Sequence, residues 1–217
     1  MAGTLISSVR RIYLAVYNFT VLLGWIQVLY LTLKALTQSQ SQSRPRSSVY
    51  AAVEKPLVLA QSAAAIEIAH SIAGIVRSPV LATLPQVSSR LYVVWEILRG
   101  VPEIRGNYLV VSLLLSWSVT EIVRYAYFAA REAVGWTPPW LQWLRYTTFL
   151  VLYPTGISSE VGLIYRALPH LHQSVGNYRN VLAIFALCLY APGSPFLYGY
   201  MLGQRKKAFA QTKPKLD

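Results

Sequence analysis

The stretch 141–164 most constrains this sequence, because it is apolar and long enough to cross a bilayer yet carries Arg145, Tyr153 and Glu160. A transmembrane helix needs about 20 predominantly apolar residues. An ionisable side chain at membrane depth costs at least ~2.5 kcal/mol, so it usually has a partner or a function there. We therefore predict that this segment is a reaction site rather than a simple anchor.

The spacing of these three side chains predicts that they share one face of a helix. At ~100° per residue, Tyr153 and Glu160 lie about 80° and about 60° from Arg145 around the axis. Because the rise is ~1.5 Å per residue, the tyrosine and the glutamate are ~10 Å apart along the axis, too far for a direct hydrogen bond. Pro154 and Gly156 lie between them and predict an interruption that shortens this gap, or holds a substrate in it, and frees backbone amides.

Composition places the chain among multi-span membrane proteins of one domain. The 217 residues are 54% hydrophobic and only 13% charged, whereas a soluble domain is about 25% charged. The sequence therefore predicts an all-α, polytopic membrane protein built as a bundle of six transmembrane helices. The sixth span is expected to break within 191–195, which holds two prolines and a glycine. The candidate spans are 13–33, 56–76, 79–98, 108–128, 141–164 and 181–202.

The segments outside these spans complete a single six-span membrane domain over residues 1–217. A short N-terminus, 1–12, precedes the first span. The loop 37–48 is rich in Ser and Gln and is expected to be a disordered connector. Spans two and three are joined by a tight turn at Arg77-Ser78-Pro79. A basic tail, 203–217, ends the sequence.

The net charge of +12 indicates a basic rim against anionic lipid headgroups. Nucleic-acid binding is disfavoured as a function, because no soluble basic face or aromatic platform accompanies the charge. The single cysteine, Cys188, leaves no disulfide framework and no Cys/His zinc pattern.

The orientation in the membrane depends mainly on the tail. Six spans put both termini on one side, and basic residues are divided almost equally between the two sides. The dense basic tail predicts that both termini are cytosolic. Lys213 and Lys215 resemble the dilysine signal that retrieves membrane proteins to the endoplasmic reticulum, and an ordinary basic tail is the alternative.

Spans two and four carry further ionisable side chains at helical spacing. Glu121, Arg124 and Tyr125 are at i, i+3 and i+4, and Glu67 and His70 are three apart, so each set shares a face. One interpretation is a set of polar contacts and ion pairs that neutralise themselves inside the bundle. The other is a polar cavity that serves as a transport path or an intramembrane active site.

Five short motifs follow one another along the chain. They are 67–70 (EIAH), 86–90 (QVSSR), 117–125 (WSVTEIVRY), 143–147 (WLRYT) and 152–160 (LYPTGISSE). Their order and spacing resemble the 3-hydroxyacyl-CoA dehydratase family of fatty-acid elongation, also called protein-tyrosine-phosphatase-like, which includes the plant PASTICCINO-type proteins. The similarity extends from about Tyr13 to the tail.

This resemblance implies a multi-pass lyase of the endoplasmic-reticulum membrane with cytosolic termini. It implies dehydration of a very-long-chain 3-hydroxyacyl-CoA to the trans-2-enoyl-CoA, the third step of the elongation cycle. The implied partners are the condensing enzyme, the ketoacyl reductase and the enoyl reductase, with no metal and no cofactor. By motif match the catalytic pair is Tyr153 and Glu160. The supporting or substrate-binding positions are Arg90, Glu121, Arg124, Tyr125, Arg145 and Gly156.

The chemistry of dehydration fits a tyrosine and a glutamate. The reaction takes a proton from the carbon beside the thioester and expels hydroxide as water, so one group accepts a proton and another donates one. Glu160 is the expected base and Tyr153 the expected donor, while reversed roles, or one residue serving both steps, fit the sequence as well. Phosphatase chemistry finds no support, because position 194, six after Cys188, is serine and not the arginine that it needs.

Two other functions compete with the dehydratase. A membrane transporter or channel could use the same charges as an interior path, and an inverted repeat would favour it, but none is visible. An inactive scaffold member of the elongase complex is the second alternative. The retention of both Tyr153 and Glu160 argues against it.

Overall fold

The computed structural model describes residues 2–43, 45–76, 80–171 and 177–210, and these residues form helices joined by short turns, with no strand among them. A π-helical turn, Val93–Leu98, continues from the fourth helix, and a short 3-10 helix, Pro102–Gly106, precedes the fifth. The α-helices are α1 (Ala2–Ser41), α2 (Ser47–Ala63), α3 (Ala65–Ile72), α4 (Val80–Tyr92), α5 (Tyr108–Val134), α6 (Pro139–Thr147), α7 (Phe149–Leu171) and α8 (Tyr178–Ala210).

The prediction of an all-α membrane protein is confirmed. The helices form six segments that correspond to the six predicted spans: α1, α2 with α3, α4 with its π-helical turn, α5, α6 with α7, and α8. Three of the segments are single helices that are long and apolar enough to cross a membrane, over Ser7–Ser41, Tyr108–Val134 and Tyr178–Ala210. The other three are each interrupted, because α3, the π-helical turn and α7 begin where the preceding helix ends.

The core lies where α1 packs against α5 and α2. Trp25, Tyr50 and Leu113 are fully buried there and belong to one continuous apolar cluster. Large apolar side chains on the outside remain exposed, such as Phe196 of α8 at 73%. An apolar exterior of this kind suits hydrocarbon rather than water as the surrounding medium.

The structure corrects both of the helix breaks that were expected at prolines. α8 continues through Pro192 and Pro195, and the fifth segment is interrupted at Thr148 and not at Pro154 or Gly156. Each proline removes one helical hydrogen bond, and a membrane helix tolerates this loss because unwinding in hydrocarbon would leave more backbone groups unsatisfied. The hydroxyl of Thr155 adds bonds to the carbonyls of Val151 and Leu152, at 3.0 and 3.2 Å, in the same turn as Pro154.

The polar loop was also predicted too long. α1 continues to Ser41 and α2 begins at Ser47, so most of 37–48 is helical, and a disordered connector over that whole range is wrong. Gln and Ser do not stop a helix that is already propagating.

The predicted turn Arg77-Ser78-Pro79 and the tail beyond 210, including Lys213 and Lys215, lie outside the described residues.

One end of the bundle carries the described ends of both terminal helices. Arg11, near the start of α1, donates to the carbonyl of Glu132 near the end of α5, at 3.3 and 3.4 Å. Phe209, near the end of α8, makes an edge contact with Tyr146 of α6, with ring centroids 6.4 Å apart. We call this the terminal end of the bundle, and the cavity described below opens near it.

Candidate active site

Glu160 lies on α7, turned inward, with 4% of its surface exposed. Its two carboxylate oxygens accept from different helices. The Nε1–H of Trp117, on α5, donates to Oε1 at 2.8 Å, and the hydroxyl of Tyr190, on α8, donates to Oε2 at 2.5 Å. An indole N–H can only donate, so the contact with Trp117 requires an acceptor oxygen on Glu160. The arrangement suits a carboxylate that is held in a fixed orientation.

Tyr153 lies two turns earlier on α7 and is half-buried. Its hydroxyl donates to the backbone carbonyl of Ser194, on α8, at 3.1 Å. Its ring stacks on that of Tyr198, with centroids 5.8 Å apart and an angle of 29° between the planes. The phenol therefore has a defined position on the side of α7 that faces α8.

Both predicted catalytic side chains thus face the same neighbouring helix. Tyr153 contacts Ser194, and Glu160 contacts Tyr190, and these two partners are one turn apart on α8. Because α7 is a regular helix from Phe149, the separation of ~10 Å along its axis is retained and no break shortens it. The backbone amides near Gly156 belong to a continuous helix, so the expectation that they are freed is wrong.

Small residues hold α7 closely against α5. The Ser116 and Thr155 hydroxyls are 2.9 Å apart, and Ser159 donates to Ser112 at 2.9 Å. Gly156 is buried between them, and a Cβ at this position would lie 3.8 Å from the Cβ of Ser116. Close packing of small, hydrogen-bonded residues is typical of helix interfaces in membranes. It also brings Trp117 within reach of Glu160.

The other charged positions form a network further along α5, where Glu121 and Arg124 lie one and two turns beyond Trp117. Glu121, 2% exposed, accepts from Arg90 of α4 and from Arg124, the latter at 3.0 Å. Arg124 also donates to Glu67 of α3, and the hydroxyl of Tyr125 donates to the same carboxylate. The predicted pair of Glu121 and Arg124 is therefore confirmed as part of a larger network.

The partners of Glu67 and His70 differ, although the two side chains share a face of α3. His70 is hydrogen-bonded to the hydroxyl of Tyr13 at 2.8 Å, and Glu67 binds Arg124 and Tyr125. Each side chain is satisfied by other helices. These contacts favour a structural role for the pair.

Arg90 connects the network to the catalytic pair. Its guanidinium lies over the ring of Trp117, 5.3 Å from the centroid, and the same indole donates to Glu160. Arg90 is also close enough to Glu160 and Tyr153 for its charge to act on both. The network and the pair are therefore adjacent parts of one polar interior.

Arg145 lies apart from the catalytic pair, on α6. It lines a cavity of about 250 Å³ together with Arg90 and Arg124, and neither Tyr153 nor Glu160 lines that cavity. The expectation that the three side chains share one face assumed a regular helix, whereas the turn at Thr148 separates the helix of Arg145 from the helix of Tyr153 and Glu160.

Two partners of the catalytic pair were missed by the sequence analysis. Trp117 was seen only as part of a motif, and Tyr190 was not singled out. Tyr190 is a polar aromatic within an apolar span, which is a weak signal. Tyr190 reaches Glu160 because of how the antiparallel helices are aligned, and the spacing of residues along one helix does not encode that alignment.

In the part of the chain that the structure describes, no group of three or more His, Cys, Asp or Glu side chains could hold a metal ion.

Replacing Glu121 with alanine should destabilise the protein more than it changes the rate of the molecules that fold. Arg90 would lose the one ion-pair partner that it has among the described residues, and an uncompensated buried charge costs about 3–5 kcal/mol. We expect a lower yield of monodisperse protein in detergent and a lower thermal unfolding temperature.

The matched control is Glu54→Ala. Glu54 pairs with Arg99 at 3.4 Å, but both side chains are substantially exposed. Exposed pairs contribute about 0–1 kcal/mol, so this variant should unfold close to the native temperature. Normal stability of Glu121→Ala combined with lost activity would instead assign Glu121 to the reaction.

Comparison with known proteins identifies relatives along almost the entire chain. The family model described as protein tyrosine phosphatase-like protein, PTPLA, matches residues 61–211. The very-long-chain (3R)-3-hydroxyacyl-CoA dehydratase PASTICCINO 2 of Arabidopsis thaliana is 52% identical over 98% of this chain and 99% of its own length. PASTICCINO 2A of Oryza sativa is also 52% identical, over 95% of this chain and 97% of its own.

A more distant relative also matches nearly the whole of this chain, at a lower identity. The human very-long-chain (3R)-3-hydroxyacyl-CoA dehydratase 2 is 34% identical over 93% of this chain and 82% of its own length. No solved structure matches the chain. The family predicted from the five motifs is confirmed, and the chain belongs to the protein tyrosine phosphatase-like (PTPLA) family, together with relatives named as very-long-chain (3R)-3-hydroxyacyl-CoA dehydratases.

Proposed function

We propose that this protein removes water from a very-long-chain (3R)-3-hydroxyacyl-CoA and releases the trans-2-enoyl-CoA. The names of relatives that match it almost end to end supply the substrate class. The observation that carries the proposal is that Tyr153 and Glu160 both turn toward α8 inside the bundle, with Glu160 buried. A phenol and a carboxylate are the two proton-transferring groups that the reaction needs.

In this mechanism Glu160 accepts the proton from the carbon beside the thioester. The electron pair of that C–H bond forms the new double bond, and the bond from the third carbon to its hydroxyl breaks. Tyr153 donates a proton to the departing hydroxyl, which leaves as water. The assignment is supported by the two donors that face Glu160, since they suit a negatively charged acceptor.

The substrate lies between α7 and α8 in this proposal. α8 is the least enclosed of the three long apolar helices, with 6% of its most apolar stretch buried. Its contacts to the catalytic side chains come from Ser194 and Tyr190. A modest outward displacement of α8 would release the phenol and leave room for an acyl chain that already prefers hydrocarbon, at ~0.8 kcal/mol per buried CH₂.

The decisive test is turnover by the purified, full-length protein in detergent. A long-chain (3R)-3-hydroxyacyl-CoA should be converted to the enoyl-CoA, detected by mass spectrometry, and the (3S) substrate should be converted far more slowly. Flux of ions or small solutes through protein-containing liposomes, without any conversion, would support a transporter instead. If folded protein shows no turnover and no flux, the inactive scaffold is the remaining function.

Tyr190 is proposed as a positioning residue for Glu160. Replacing it with phenylalanine removes the hydroxyl that holds Oε2 but keeps the ring. A hydrogen bond to a charged group contributes about 1.5–3 kcal/mol, so kcat should fall by roughly tenfold while KM stays the same. An increase in KM with unchanged kcat would indicate that Tyr190 binds substrate and does not orient the base.

We also propose the cellular setting. Both termini are placed in the cytosol, which is supported by six segments and by terminal helices that end at the same end of the bundle. The endoplasmic reticulum is proposed from the lysines near the C-terminus and from the family. Partnership with the condensing enzyme and the two reductases is proposed from the family resemblance, since one reductase makes the 3-hydroxyacyl-CoA and the other consumes the enoyl-CoA. Epitope tags at both ends should be accessible to antibodies when only the plasma membrane is permeabilised.

A further inference from the structure

The cavity of about 250 Å³ lies at the terminal end of the bundle and is rich in charge. It is lined by Arg90, Arg124 and Arg145 and by the carboxylates of Glu67 and Glu132. Pockets that enclose a whole ligand are usually about 300–1,000 Å³. A space of this size suits one compact polar group, while the rest of a larger ligand remains outside.

The charges in the cavity are not all paired with one another. Arg90 pairs with Glu121, and Arg124 pairs with both Glu121 and Glu67. Arg145 makes no ion pair or hydrogen bond with the residues that the structure describes. Its guanidinium lies over the ring of Phe128, 5.3 Å from the centroid. Glu132 lines the same cavity without forming an ion pair with Arg145.

A half-buried guanidinium without an ion pair is a favourable binding point for a ligand that supplies the counter-charge. The guanidinium is planar and matches phosphate oxygens with two parallel hydrogen bonds. Arg124 lies near enough to add to the positive potential at Arg145. The cavity therefore has the chemistry of a phosphate site, with Arg145 as its free donor.

The position of the cavity fits the proposed substrate, and the inference that follows rests on the proposed function. Arg145 precedes Tyr153 by eight residues, or ~12 Å along the helical segment. Arg90 lines the cavity and stacks on Trp117, which donates to Glu160. The cavity thus leads from the terminal end toward the catalytic pair. In an acyl-CoA the diphosphate and the thioester are likewise separated by the extended pantetheine arm.

We propose that Arg145 binds the diphosphate of the CoA head in this cavity, so that the pantetheine arm passes Arg90 and carries the thioester to Tyr153 and Glu160. The adenosine remains at the cavity mouth. The site selects CoA thioesters over thioesters that lack phosphate, and it contributes to substrate binding without taking part in proton transfer.

The test compares two substrates that share one 3-hydroxyacyl chain, the CoA thioester and the pantetheine thioester without phosphates. Arg145→Gln should raise KM for the CoA substrate by roughly tenfold or more, the scale of a lost charged hydrogen bond, and leave kcat unchanged. The pantetheine thioester should be affected less than twofold. Arg145→Lys should restore part of the affinity. An equal loss on both substrates would overturn the proposal.

Arg166→Gln is the matched control, because Arg166 is exposed on α7 beyond the catalytic pair and does not line this cavity. This variant should leave KM and kcat unchanged for both substrates. Binding of free CoA, followed by isothermal titration, gives a readout that needs no turnover. Native protein should bind CoA more tightly than pantetheine, and a native protein that does not distinguish them would overturn the proposal even if Arg145→Gln fails to fold.

The titration also separates this inference from the proposed function. Preferential CoA binding without any dehydration would support the phosphate site and reject the lyase. Dehydration without a preference for CoA would support the lyase and reject the phosphate site. A phospholipid headgroup is the other source of phosphate. If the Arg145→Gln defect appears equally with both substrates, and only in nanodiscs that contain phosphatidylserine, the site belongs to the lipid.

Discussion

Glu160→Gln should lower kcat for dehydration by ~10²-fold or more and leave the protein folded. An amide does not accept the substrate proton, and a positioned acid or base typically contributes about 10²–10⁴-fold. The fold should tolerate the change. The amide oxygen can still accept from Trp117, and the Tyr190 hydroxyl can rotate to accept from the new NH₂ group. The measurement is single-substrate kinetics on protein whose unfolding temperature has been checked.

Two further variants make this result interpretable. Glu103→Gln is the matched control, since Glu103 is exposed on the short 3-10 helix and should retain full turnover. Glu160→Asp keeps the carboxylate but withdraws it by one methylene, so it should retain more activity than the glutamine variant. Near-native turnover by Glu160→Gln would remove Glu160 from the chemistry.

The six segments could be predicted from the sequence because bilayer thickness fixes the length of an apolar run. Their interruptions could not be predicted as well. Pro154 and the prolines near 192 look like helix breakers by local rules, yet α7 and α8 continue through them. In hydrocarbon no water replaces lost helical bonds, so a helix that lacks one bond at a proline is still favoured over an unwound segment that lacks several.

The candidate site shows the same division between local and tertiary information. The pair of Glu121 and Arg124 follows from their i, i+3 spacing, and its contact is confirmed. The second partner of Glu121, Arg90, comes from another helix, 31 positions away. The contact of Tyr190 with Glu160 likewise depends on how α7 and α8 are aligned. One-dimensional spacing holds no information about that alignment, so only the locally encoded half of the site could be predicted.

Tyr153→Phe should also lower kcat by ~10²-fold, with little loss of stability. Phenylalanine keeps the ring that stacks on Tyr198 and loses only the hydroxyl that donates to Ser194. One neutral hydrogen bond contributes about 1 kcal/mol. Tyr198→Phe makes the identical chemical change on the adjacent ring and should retain most of the turnover. If the two variants lose equal activity, the phenol of Tyr153 has no special place in the reaction.

Exchange of the substrate's α-hydrogen with deuterated water assigns the roles of the two residues. When Glu160 is the base, it can remove and return this hydrogen even if the hydroxyl cannot leave. Tyr153→Phe should therefore still incorporate deuterium into recovered 3-hydroxyacyl-CoA, while Glu160→Gln should incorporate none. The opposite pattern would make Tyr153 the base and Glu160 the donor. Loss of exchange in both variants would mean that C–H and C–O cleavage are concerted, since neither residue could then act without the other.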